Sequence, residues 1–249
     1  MAVRVANAGR KPIAWIGGLT LNDAGPKLSK LMLVCSALNA GLHLAASIKA
    51  RGVRRSVLFF GLSLGLPAAG EFLATGPLEL LRHRTRYRVA GVPFAILLGW
   101  YAVIHGCFAV SGRFTERLHP GKDAKRSVPV LAALVGISLD LILDPAGLDI
   151  GLWEWNVDGA YASEIRGANG HSGVPLVNYL GWAALVGGVV YVYELARQDD
   201  DEEAELLPAL LLLPYYLAGV GWALRRRRFG YLILSAPFPI ALYAALENR

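Results

Sequence analysis

Apolar runs of about twenty residues recur along the whole chain, and nothing else in it limits the fold as strongly. They lie at 29–50, 56–76, 89–111, 127–148, 174–196, 206–224 and 229–247. A run of that length crosses the hydrocarbon core of a bilayer as a helix, because there each backbone N–H and C=O must be satisfied within its own segment. Charged residues make up only 18% of the chain, against about a quarter in a soluble domain. The expected fold is an all-α, polytopic transmembrane helix bundle of about seven spans. The count falls to six if the last two, separated only by Arg225-Arg-Arg-Arg228, are taken as one.

Residues 1–28 carry Arg4, Arg10, Lys11 and Lys27 around a short apolar patch, Ile13 to Leu21. That patch is too short to span, so 1–28 is expected to lie at the interface and 29–249 to form a single transmembrane helical domain. The formal charge of +6 sits almost entirely in the loops. It fits orientation and lipid headgroup contact better than a nucleic-acid groove, for which basic and aromatic residues would interleave. Cys35 and Cys107 both fall in apolar runs and read as buried thiols.

Parity assigns the loops to faces. The segments after the second and fourth spans share one membrane face, whichever way the chain is inserted. The ends that converge there carry Glu71, the run Arg82-His-Arg-Thr-Arg86, Asp140, Asp144, Trp153, Trp155 and Asn178. His105 and the acidic loop 198–205 belong toward the other face.

Asp140 and Asp144 are the most unusual of these residues. Four apart, they share one side of a helix, and each ionised acid at mid-membrane costs roughly 3 kcal/mol. Pro145 lacks an N–H and disfavours helical geometry before it, so the helix is expected to break at Asp144 and leave free backbone groups to hold water or a cation. Glu71 is a third carboxyl, read either as a partner for a neighbouring arginine or as an acid or base. Asn178, early in the fifth span, orients water or bonds a neighbouring helix. Trp100, Trp153, Trp155, Tyr179 and Trp182 lie near span ends; they form an interfacial belt or line a site where indole faces stabilise a cation. The loop 149–173 is the longest between spans and is read as an irregular lid or binding loop. Asn39 and His43 read as polar packing, and no metal site is expected.

The stretch Leu139-Asp-Leu-Ile-Leu-Asp-Pro-Ala-Gly-Leu-Asp-Ile-Gly-Leu-Trp-Glu-Trp155 resembles the membrane carotenoid hydratases of the CruF type. So do Gly173-Val-Pro-Leu-Val-Asn-Tyr-Leu-Gly-Trp182 and Arg82-His-Arg-Thr-Arg86 with the following Gly91-Val-Pro-Phe94. The likeness is greatest to archaeal bisanhydrobacterioruberin hydratases and covers roughly 60–185. It implies an enzyme in the cell membrane of a prokaryote that adds water to a terminal isoprenoid double bond of a long carotenoid. The partners implied are carotenoid, membrane lipid, water and other enzymes of the pathway; no cofactor is implied. On this reading Asp140 or Asp144 is the acid, and the other aspartate or Glu71 is the base. Trp153 and Trp155 shield the tertiary cation, with Trp100, Tyr179 and Trp182 as further binding residues, and Asn178 holds water.

Three rivals compete. A magnesium-dependent prenyltransferase uses the same Asp-xxx-Asp spacing, and Arg82 and Arg86 are binding residues for its diphosphate. A carotenoid cyclase also begins with protonation. A proton- or cation-coupled transporter uses the three acids as a path.

Overall fold

In the computed structural model the residues described are 15–16, 19–118, 127–197 and 205–247. Most of the expected interfacial segment, and the acidic loop up to residue 204, therefore lie outside the described residues. The elements in order are β1 (Trp15–Ile16), β2 (Leu19–Thr20), α1 (Leu21–Thr75), β3 (Leu81–His83), β4 (Arg88–Val89), β5 (Val92–Pro93), α2 (Phe94–Leu118) and α3 (Val128–Asp149). They continue with β6 (Trp153–Trp155), β7 (Tyr161–Arg166), β8 (Ser172–Val174), α4 (Leu176–Trp182), a π-helical turn (Ala183–Gly187) and α5 (Gly188–Ala196). Four helices close the chain: α6 (Leu206–Leu210), α7 (Leu213–Arg226), α8 (Phe229–Leu234) and α9 (Pro237–Leu246).

Among the described residues five helical stretches are long and apolar enough to cross a membrane: Lys27–Thr75, Phe94–Arg117, Val128–Asp149, Leu176–Ala196 and Leu206–Arg226. The first holds two expected spans. Gly52 stands at φ 77°, ψ 167°, a conformation open to glycine and strained for other residues. The Ser47 hydroxyl donates to that of Ser56 at 2.8 Å. Nine residues of straight helix would hold them about 13.5 Å apart, so α1 reverses at Gly52 into two antiparallel arms. The expected last span is divided between α8 and α9, because Pro237 begins a new helix rather than extending the old one. Ser138 stitches that junction, donating to the Ser235 carbonyl and accepting from the Phe238 amide.

Helix α2 is the central helix, packed against α1, α3, α6 and α9. Around it Phe59, Tyr101, Ile104, Leu139, Tyr193 and Phe238 are fully buried. The outer faces carry exposed Leu31, Val34, Leu38 and Leu42 on α1 and Leu217 and Leu224 on α7, at the spacing of a helix side turned to lipid. Cys35 lies on this outer side of α1 and is exposed, contrary to its reading as buried; Cys107, on the central helix, is buried.

The loops at the two faces sort as parity requires. After the second and fourth spans, β3 and β6 pair antiparallel, with Leu81 opposite Trp155, Arg82 opposite Glu154 and His83 opposite Trp153. At the other face Arg51, beside the Gly52 reversal, pairs with Glu205 at 2.5 Å and stacks over Phe59, Phe108 and Tyr193. His43 and His105 meet there at 3.2 Å, and Asn39 donates to the Tyr215 hydroxyl.

Two further expectations are corrected. The loop 149–173 is not irregular: it contains β6 and a β7–β8 hairpin closed by a turn in which the Gly167 amide donates to the His171 carbonyl. Nor does α3 break at Asp144; it runs through Pro145 to Asp149. Proline at 145 leaves the carbonyl four residues back, that of Leu141, without its helical donor. The Tyr161 hydroxyl supplies one at 2.7 Å, so the freed group holds a side chain rather than water or a cation.

Candidate active site

At the face where β3 and β6 meet, a cavity of about 500 Å³ opens among α1, α2, α3, α4 and α7. Its wall is largely apolar, with Met32, Leu81, Ile96, Leu143, Tyr215 and Trp222 among the lining residues. Ser36, Arg225 and Arg226 also line it, and the polar groups around its acids form two linked sets.

The first set is built on α3. Asp140 and Asp144 occupy successive turns of one helix side and are 2% and 3% exposed. Asn178, near the start of α4, donates from Nδ2 to Asp140 Oδ2 at 2.6 Å and to Asp144 Oδ2 at 2.8 Å. Both amide hydrogens are thus spent on the acid pair rather than on a bound water. The indole N–H of Trp153 donates to the other oxygen of Asp144. Among the described residues no lysine or arginine bonds either acid; a neutral amide and an indole are their partners.

The second set is built on Glu71, near the end of α1. Its Oε1 accepts from Trp100 Nε1, and its Oε2 faces His83 Nε2, each at 2.9 Å. His83 is 3% exposed.

The β3–β6 ribbon joins the two sets. Directly paired residues of an antiparallel ladder point to the same side, so Leu81, His83, Trp153 and Trp155 all turn to the cavity. Arg82 turns outward and is exposed, as are Arg84 and Arg86; Arg84 pairs with Glu154. The rings of His83 and Trp153 meet edge to face, 6.5 Å between centroids. Gly147 makes the arrangement possible: a Cβ there would lie 2.1 Å from Trp153 Cζ2, so only glycine lets the indole rest on α3 and reach back to Asp144. Across the cavity Trp100 and Trp182 pack at 4.5 Å between centroids.

Of the residues singled out from sequence, Glu71, Trp100, Asp140, Asp144, Trp153, Trp155, Asn178 and Trp182 line this one cavity. Tyr179 does not; it packs behind the site, edge-on to Tyr161. Arg82 and Arg86 do not line it either. His83, Ser36, Tyr215, Trp222, Arg225 and Arg226 line it and were missed. For His83 a signal exists: in Leu81-Arg-His-Arg-Thr-Arg86 charged residues alternate with less polar ones, the period of a strand with one face buried.

Comparison with protein-family models matches residues 31–236 to the family described as carotenoid biosynthesis protein. That span takes in every residue of the cavity and reaches well beyond the 60–185 that carry the resemblance. No curated protein and no solved structure matched the chain.

Proposed function

We propose that this chain, which belongs to the carotenoid biosynthesis protein family, is a hydratase adding water to the terminal isoprenoid double bond of a lycopene- or bisanhydrobacterioruberin-type carotenoid in a prokaryotic cell membrane. The observation that carries the reading is the buried Asp140–Asp144 pair, bridged by Asn178, in an aromatic-walled cavity reached from among the helices. The cavity takes an end group, and the rest of the polyene lies between helices and in lipid.

One aspartate carries the proton and delivers it to the alkene carbon that leaves a tertiary cation. The indole faces of Trp153, Trp155, Trp100 and Trp182 stabilise that cation while water is scarce. Water then attacks the cation, and the oxonium proton leaves to a base. The alcohol contains alkene plus one water, no electrons are exchanged, and the proton count closes within the site. In this reading Asn178 fixes the spacing and orientation of the acids rather than holding the water.

Two observations weigh against the magnesium-dependent prenyltransferase. Its proposed diphosphate residues, Arg82 and Arg86, are exposed outside the cavity, and a metal would have to displace the amide and indole donors that Asp140 and Asp144 now accept.

The test is mass spectrometry of carotenoids from a host making lycopene and bisanhydrobacterioruberin, with and without the protein. Products heavier by one or two waters are expected. New products of unchanged mass would point to a cyclase. Unchanged pigments with the protein inserted would refute the hydratase.

A further inference from the structure

Resting on the hydratase reading, we propose that His83 is the base that takes the proton of the attacking water, and that Glu71 is its positioning residue. From sequence Glu71 is itself a candidate acid or base, and His83 does not figure. The geometry assigns the roles differently.

Both oxygens of Glu71 are already committed. Oε1 accepts the Trp100 indole N–H and Oε2 accepts from His83 Nε2, each at 2.9 Å. The Trp100 nitrogen can only donate. A carboxylate facing one ring nitrogen of a histidine places the proton on that nitrogen and leaves the lone pair on the other. Here the other is Nδ1. It is buried and has no hydrogen-bond partner among the described residues, on a side chain that lines the cavity. A buried ring nitrogen left without a partner is costly unless something visits it. A water entering the cavity is such a visitor.

The ring is also held where a base must stand. His83 sits in β3 directly opposite Trp153 of β6, and its carbonyl accepts from Arg88 Nη1 at 2.9 Å. Trp153 in turn bonds Asp144. The base and the indole that holds Asp144 therefore occupy paired positions of one ribbon, so the base is fixed against the acid's partner by a β-ladder rather than by loop conformation.

The step balances. The π electrons of the alkene take the proton from the aspartic acid, forming C–H and a tertiary cation. A lone pair of water forms the C–O bond. The oxonium O–H breaks toward His83 Nδ1, giving an imidazolium that Glu71 neutralises through Nε2. That proton then returns to the aspartate carboxylate through water in the cavity, and the site is reset.

The experiment uses the full-length protein in detergent with lycopene and bisanhydrobacterioruberin, in D2O, and measures two quantities together. One is the rate of alcohol formation; the other is deuterium entering the end group of recovered alkene. Deuterium enters when the acid delivers its deuteron and the cation, without capturing water, returns to alkene by losing a different proton from an adjacent carbon. His83→Gln and Glu71→Gln are compared with wild type. The second is nearly isosteric and keeps an acceptor for Trp100, but its amide N–H now faces Nε2 and forces the ring proton onto Nδ1.

Both variants are expected to lose alcohol formation by about 100-fold or more while deuterium exchange persists. Asp140→Asn or Asp144→Asn, whichever removes the donor, should lose both. Wild-type alcohol formation in His83→Gln overturns the assignment. So does loss of exchange in parallel with alcohol in both variants, since that marks a need for the residues in folding or protonation. If wild type forms no alcohol at all, the hydratase reading itself has failed, a result separable from failure of the dyad.

Discussion

A single methyl group, added at Gly147, should disable the site. An alanine Cβ there would stand 2.1, 2.4 and 2.6 Å from Cζ2, Cη2 and Cε2 of Trp153. Non-bonded carbons rest at about 3.5–4.0 Å, so the indole must retreat by roughly 1.5 Å. Its N–H then leaves hydrogen-bonding range of Asp144, because an N–H···O bond ends near about 3.2 Å. The ring has little freedom to follow another route, since Trp153 is paired to His83 in the ribbon. Losing one buried bond to a carboxyl costs about 1.5–3 kcal/mol, and overpacking adds about 1–3. Against this, Gly→Ala within a helix returns about 0.5–1 kcal/mol. The balance is a net loss of about 1.5–5.5 kcal/mol, together with an Asp144 that is no longer oriented. The assay is a double-mutant cycle with Trp153→Leu, reading thermal stability in detergent and alcohol formation. Trp153→Leu should relieve the clash, so the two changes should be non-additive in stability by at least about 1 kcal/mol, while activity stays low because the indole N–H is gone. Additive effects, or a Gly147→Ala protein with wild-type stability and rate, would refute the geometry argued for this corner of the site.

Three shorter predictions follow from the same geometry. Asp140→Asn and Asp144→Asn are each expected to reduce hydration by about 100-fold or more in stably inserted protein; full activity in both removes the acid assignment. Asn178→Leu leaves both carboxyls without their shared donor, and should cost about 1–3 kcal/mol in denaturation midpoint as well as most of the activity; an unchanged midpoint would mean that the amide does not bridge the pair. Outside the membrane, the Ser172 amide donates to Asp158 Oδ1 at 2.8 Å, and this bond, aided by nearby His171, holds the Asp158 carboxyl below its usual range. A carboxyl depressed in the folded state stabilises above its unfolded pKa, and that contribution fades as pH falls through the folded value. Hydrogen exchange at the Ser172 amide should therefore show greater opening in strong acid than at neutral pH, and Asp158→Ala should abolish that difference.

What could be read from the chain alone was whatever depends on a single segment. Span length follows from bilayer thickness and from the need of each segment to satisfy its own backbone. Once the spans are placed, parity puts Glu71, Asp144 and Trp153 on one face without any knowledge of packing. The four-residue spacing likewise puts Asp140 and Asp144 on one helix side. The tertiary structure decided whatever depends on which segment meets which. The pairing of β3 with β6 turns His83 inward and Arg82 outward, and a shift of one residue would reverse them. Asn178 bonds two acids more than thirty residues away, and Tyr161 caps a carbonyl that Pro145 has freed. These choices are made by register and close packing between distant segments. Hydropathy and helical period carry no record of them, because both are summed over neighbours in sequence while the site is assembled from neighbours in space.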